Sequence, residues 1–170
     1  MAIKEIVQEG DPVLRKTAEA VAPEEFNSKE LTELIQNMQD TLDACDDGVG
    51  LAAPQIGISK RVFIISKKAW GVSENETATN LVCINPTIEK LSKSSSLLEE
   101  GCLSVRGLFG YVERADKARI RAYNQDGKPF TYNGSGLVAE IFQHEVDHLS
   151  GILYLDHTDT THKANHEHKH

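Results

Sequence analysis

The chain has 170 residues, 39% of them hydrophobic and 26% charged, and carries a formal net charge of −8. This is the composition of one globular domain long enough to bury a core, and no stretch gathers Lys and Arg onto one face as a nucleic-acid partner requires. The longest apolar runs, such as VFIIS (Val62 to Ser66), are too short to cross a bilayer, and MAIKEIVQEGDP reaches acidic residues too early for a signal peptide.

The expectation is therefore a soluble cytoplasmic protein with no nucleic-acid or membrane partner. Cys45, Cys83 and Cys102 are odd in number, widely spaced and without a CxxC pair, which argues against a disulfide framework. In PEEFNSKELTELIQNMQDTLDAC, Leu31, Leu34, Ile35, Met38 and Leu42 recur at helical spacing, with acidic residues in the first turns where the helix dipole favours them. An amphipathic helix ending near Ala44 follows. DDGVGLAAPQIGISK breaks the pattern with glycines and a proline and reads as an irregular segment. RVFIIS is a buried strand, GVSENETATN a polar surface loop, and LVCINPTIEKL and SSLLEEGCLSV further extended segments.

KARIRAYNQDGKPFTYN alternates about an Asp126-Gly127 turn and predicts a hairpin. SGLVAEIFQHEVDHL predicts a second helix with Ser135 as N-cap and Gly151 beyond its end. Short strands clustered before a late helix predict α+β, mainly antiparallel strands packed around a central metal-binding helix, with the amphipathic helix N-terminal to them. One catalytic domain is expected over residues 1–156. Residues 157–170 are expected to be a disordered, polar, His-rich tail without apolar periodicity, in which His162, His166, His168 and His170 lack the preorganisation of a tight metal site.

Within the second helix, QHEVDHLSG contains His-Glu-x-x-His. Residues four apart share a helix face about 6 Å apart along the axis, so His144 and His148 can offer imidazoles to one ion. Glu145 can then reach a water at that ion without ligating it. A metzincin would place its third ligand where Tyr154 stands, and a thermolysin-like enzyme would need a downstream helical glutamate, whereas only Glu167 remains, in the tail. The third ligand must lie upstream, and Cys102 in EEGCLSV supplies it, behind Gly101, whose bare Cα lets other backbone approach. A buried structural cysteine is the commoner fate of such a residue and remains the reading for Cys45 and Cys83. Glu100 is a candidate acceptor near Cys102 or the helix, and Asp147 points off the ligand face and receives no role. GVGLAA also fits a loose dinucleotide fingerprint, but it follows a helix and opens none, so that reading fails.

Three separated motifs, GVGLAAPQIG, EEGCLSV and QHEVDHLSG, together with IVQEGDPVLRKTAEAV and LVCINP, resemble the peptide deformylase family over most of the chain, Ile6 to about Asp156. The resemblance implies a hydrolase that removes the N-formyl group from the formylmethionine of newly made polypeptides and releases formate. It implies Cys102, His144 and His148 as ligands of Fe2+, with Zn2+, Ni2+ or Co2+ able to substitute. Glu145 is then the general base and acid, and the Gln55 amide and Leu103 N–H bind the oxyanion. Gly50 bonds the substrate through its backbone, Gly48 lets the loop pass near it, and Leu98, Leu137 and Ile141 are candidates for the methionine pocket. Nascent N-formylmethionyl chains are the implied partners, with any ribosome contact transient, because the basic C-terminal helix of many relatives is replaced here by the tail. Many relatives also place proline after CLSV, where this chain has Arg106-Gly107 at the expected rim of the site. The competing expectations are a His-Glu-x-x-His metallopeptidase and a degenerate metal-binding relative; intact Glu145 and Gln55 weigh against the second.

Overall fold

A computed structural model describes residues 2–70 and 79–163 of the chain. Ser28 Oγ accepts the Leu31 amide at 3.1 Å and starts helix α1 (Lys29–Asp43), satisfying a donor that the first turn leaves unpaired. Four strands come next in sequence: β1 (Gly50–Ala52), β2 (Val62–Ile65), β3 (Leu81–Leu91) and β4 (Ser95–Cys102). Then follow β5 (Val105–Ala115), β6 (Lys117–Tyr123), β7 (Pro129–Ser135), helix α2 (Leu137–Leu149) and the short β8 (Thr161–Lys163).

The strands form two sheets, a five-stranded one in the order β1-β2-β3-β6-β7 and a three-stranded one in the order β4-β5-β8. Every strand pair within them is antiparallel, which makes the architecture α+β. Strand β2 explains how the larger sheet is covered. Phe63 and Ile65 face a core shared with Ala139, Ile141, Phe142 and Leu149 of α2, while Val62 and Ile64 face Leu31, Ile35, Met38 and Leu42 of α1. An unbroken apolar run is what a strand buried on both faces requires, and each fully buried large side chain contributes about 1.5–3 kcal/mol.

Helix α2 thus packs against the larger sheet on one side and β5 on another. Gln143 fastens it by donating to Ala115 O at 2.9 Å and accepting from Ala115 N at 2.9 Å, at the end of β5. Among the described residues no helix is long and apolar enough to cross a membrane.

Several sequence expectations change in detail. Ser135 is not the N-cap of α2 but the last residue of β7, paired with Lys117; the cap is Gly136 at φ 58°, ψ −130°. Such an abrupt strand-to-helix turn needs positive φ, which serine resists. The segment DDGVGLAAPQIGISK is not wholly irregular, because Gly50–Ala52 pairs with β2 and Ala53–Ile56 forms one 3-10 turn. Strand β5 had no sequence prediction: Gly107 and Gly110 interrupt its alternation. Contrary to the expected disorder, residues 161–163 of the tail add β8 beside Leu108–Gly110, and His162 Nε2 donates to Glu99 Oε2 at 2.8 Å. Residues 164–170 of the tail, and GVSENETA of the surface-loop prediction, lie outside the described residues.

Candidate active site

The end of β4 meets the middle of α2. The β4–β5 register shifts between Glu100 and Cys102, so Cys102 stands at an irregularity of the ladder, where a side chain can leave the strand's alternation. Cys102 Sγ lies 3.3 Å from His148 Nε2, and the two histidine Nε2 atoms are 3.1 Å apart. Each of these residues has one donor atom within 4.8 Å of the other two.

The protonation pattern suits a cation among them. His144 Nδ1 lies 2.9 Å from Glu100 Oε1, a carboxylate that can only accept, so Nδ1 carries a hydrogen and Nε2 is the ring nitrogen that faces Cys102 and His148. Burial holds His148 well below the usual imidazole range, leaving it neutral as a ligand must be. Burial also opposes charge on His144, but its hydrogen bonds to Cys102 and Glu100 outweigh it and raise its pKa, because both acceptors favour positive charge at this point. One soft sulfur and two imidazoles form a donor set that fits a divalent transition metal.

Behind His144 stands a chain of charged contacts. Arg114 Nε and Nη2 grip both Glu100 oxygens at 2.7 and 2.9 Å, and Nη1 reaches Asp147 Oδ2 at 3.0 Å, which also meets His157 Nε2 at 2.9 Å. Burial pushes the Glu100 carboxyl up, but the Arg114 and His144 contacts prevail and hold it well below the usual carboxylate range. Glu100 thus takes the acceptor role expected for it. Asp147 has a structural partner that helix spacing alone concealed, because Arg114 arrives from β5. Arg114 and Glu100 are only 5% and 4% exposed. Removing one member leaves the other charge buried and unpaired, so Arg114→Met is expected to cost about 3–5 kcal/mol of folding free energy, read as a lower urea midpoint. A change under about 1 kcal/mol would mean that solvent screens this pair.

Glu145 is buried, and its Oε1 has no hydrogen-bond partner among the described residues. Burial pushes its carboxyl up to about 7, toward the value that suits a group exchanging protons at neutral pH. Gly50 closes over it: a Cβ there would lie 2.9 Å from Glu145 Oε2 and 3.1 Å from Ile141 Cγ2. Gly48 similarly lets the loop press on Leu103, whose Cδ1 would be 3.0 Å from an added Cβ. What approaches Gly101 is not backbone, as expected, but the Phe109 ring, 2.7 Å from where a Cβ would stand.

Gln55 is held in place from both ends of its amide. Its Oε1 accepts Ala52 N–H at 2.9 Å, while Nε2 donates to Ser104 Oγ at 3.1 Å and lies 3.6 Å from Cys102 Sγ. Its backbone carbonyl accepts the Val7 amide at 2.8 Å, so the N-terminal segment braces this turn.

A cavity of about 490 Å³ opens over these groups. Gly48, Gly50, Gln55, Leu103, Leu137, Ile141, Cys102, His144 and Glu145 all line it. Leu98 does not; it pairs with Val112 along β4–β5. Phe109, Glu140 and Arg106 also line the cavity. Phe109 had no sequence signal because β5 itself was not foreseen, whereas Glu140 stands one helical turn before His144 and that spacing could have flagged it.

The chain matches the polypeptide deformylase family over residues 3–164. It is 42% identical to a peptide deformylase of Desulforudis audaxviator, over 96% of this chain and 98% of that one. Among solved structures it is similar to a class I type b peptide deformylase from Acinetobacter baumannii with Met-Ala-Ser bound, with a TM-score of 0.82 and 36% identity over 91% of this chain and 98% of that chain. A peptide deformylase from Thermotoga maritima gives a TM-score of 0.81 at 36% identity, covering 93% of this chain and 99% of that chain.

Proposed function

The chain belongs to the polypeptide deformylase family, and from that premise we propose that it hydrolyses the N-formyl group of formylmethionine at the start of nascent polypeptides, releasing formate. The carrying observation is the convergence of Cys102 Sγ, His144 Nε2 and His148 Nε2 beside the buried Glu145 and the fixed amide of Gln55. A metallopeptidase reading rests on His-Glu-x-x-His alone and is not favoured.

We assign α2 as the metal-binding helix around which the strands pack, α1 as the amphipathic helix that covers the opposite face of the larger sheet, and Cys102, His144 and His148 as the ligands. Fe2+ is the proposed ion, with Zn2+, Ni2+ or Co2+ as substitutes; when bound it supplies Lewis acidity that activates a water and polarises the formyl carbonyl. Glu145 takes the proton of the attacking water as the new C–O bond forms. It then gives a proton to the amine nitrogen as the C–N bond breaks, leaving formate and a free amino terminus. Gln55 Nε2 and the Leu103 N–H stabilise the developing oxyanion, and losing one such donor costs about 3–4 kcal/mol of barrier. Gly50 offers its backbone to the peptide, Gly48 admits it, and Leu137 and Ile141 form walls for the methionine side chain. Leu98, outside the cavity lining, supports the β4 wall through its place in the β4–β5 ladder. Because the substrates are nascent chains, we place the protein in the cytoplasm with transient access to the ribosome.

Anaerobic, iron-loaded protein given formyl-Met-Ala-Ser is expected to yield formate and Met-Ala-Ser in equal amounts. Cleavage of internal bonds in unformylated peptides, without formate, would overturn the proposal.

A further inference from the structure

We infer that Arg106 is a specificity-determining residue, which binds the carboxylate of an acidic side chain within the two positions after the formylmethionine; this rests on the deformylase reading of the same cavity. Arg106 is the one full cation among the described residues that line the cavity. Its guanidinium stands 3.8 Å from Asp47 Oδ2 across the mouth, with the side chains 53% and 74% exposed. That separation is an ion pair without a hydrogen bond, and the fork makes no hydrogen bond to any described residue, which leaves its five donors open to another acceptor.

The carboxylates nearby are differently placed. Glu99 is engaged by His162 at 2.8 Å, and Glu100 by Arg114 and His144. Arg106 is also well anchored. Its backbone N–H donates to Gln8 Oε1 at 3.2 Å, and Gln8 Nε2 donates to Leu103 O at 2.9 Å, which ties the Cys102–Val105 turn to the N-terminal segment. A proline at this position would lack that donor.

An exposed pair of this kind is worth at most about 1 kcal/mol, so an arriving carboxylate can exchange with Asp47. The guanidinium can then receive it bidentately, a geometry that lysine cannot offer. Without Arg106, Asp47 and Glu99 would repel the same side chain.

The test compares kcat/KM for peptides amidated at the C-terminus, so that no terminal carboxylate stands in for a side chain: formyl-Met-Ala-Ser, formyl-Met-Glu-Ser, formyl-Met-Ala-Glu and formyl-Met-Lys-Ser. In Arg106→Gln the better acidic peptide is expected to lose roughly three- to five-fold relative to formyl-Met-Ala-Ser, through KM and not kcat. Asp47→Asn should shift the same ratio the other way. Both shifts should shrink in 0.5 M NaCl, where the screening length is roughly 4 Å. Calorimetric affinities for the deformylated products Met-Glu-Ser and Met-Ala-Ser amide read the same preference without turnover. A ratio unchanged by Arg106→Gln in both measurements, or a proportional loss on every peptide, overturns the inference. Wild-type protein that binds the products with the expected preference yet releases no formate refutes the proposed reaction and leaves Arg106 as a carboxylate-binding residue.

Discussion

Glu145→Gln is expected to lower kcat for formate release by about 10²–10⁴-fold while metal content stays as in the parent, since the three converging donor atoms belong to other residues. Glutamine keeps the volume that Gly50 packs against, so the loop has no reason to move. It removes only the ability to take a proton from water and return it to the leaving amine. A second expected result separates this role from a structural one. Glu145 is a buried carboxyl with an oxygen that no described residue satisfies, and burial alone disfavours its charged form. A neutral amide relieves that cost, so the metal-free variant should unfold at a temperature equal to or a few degrees above the parent's, each kcal/mol being worth about 2–4 °C in a chain of this size. Anaerobic turnover, metal analysis and calorimetric melting on one preparation give all three readings. Turnover within threefold of the parent would show that another group moves the proton.

Cys102→Ala should lose the metal. The thiolate is the one anionic donor of the trio, and it reaches the helix from a different part of the chain. Loss of an outer partner of a ligand already costs roughly 10–100-fold in affinity, so loss of the ligand itself is expected to weaken binding by at least about 100-fold. After anaerobic loading and gel filtration, the parent should retain about one ion per chain and the variant almost none. Formate release should fall in step with metal content. The residue is partly exposed at the cavity wall and packs against the small cluster of Val105, Val112, Leu153 and Tyr154, where alanine keeps the Cβ, so the variant should still fold, with a far-UV spectrum like the parent's. Retention of stoichiometric metal by Cys102→Ala would remove the sulfur from the ligand set.

The legible part of this site was the part written locally. His144 and His148 sit one helical turn apart, so their common face follows from backbone geometry once the helix is granted. The hairpin of β6 and β7 was equally local, because Asp126-Gly127 supplies the turn conformation that its strands need, with Gly127 at φ 82°. Gln55, Leu103 and Gly50 became candidates only through family resemblance; nothing in their own spacing marks them. Arg114 and Phe109 were not seen at all. Both lie on β5, whose glycines obscure the strand period, and a strand that is not predicted cannot lend its side chains to a site.

From the sequence alone came the helical histidine pair, the glutamate between them, and the hairpin. These depend on intervals of a few residues, over which covalent geometry and hydrogen-bonding leave little choice. The tertiary structure decided that Cys102, at the shifted register of β4, meets α2, that Arg114 pins the carboxylate behind His144, and that the bare Cα of Gly50 lies close over Glu145. Such meetings join segments separated by tens of residues, and their outcome is set by sheet register and packing, which no short window of sequence contains.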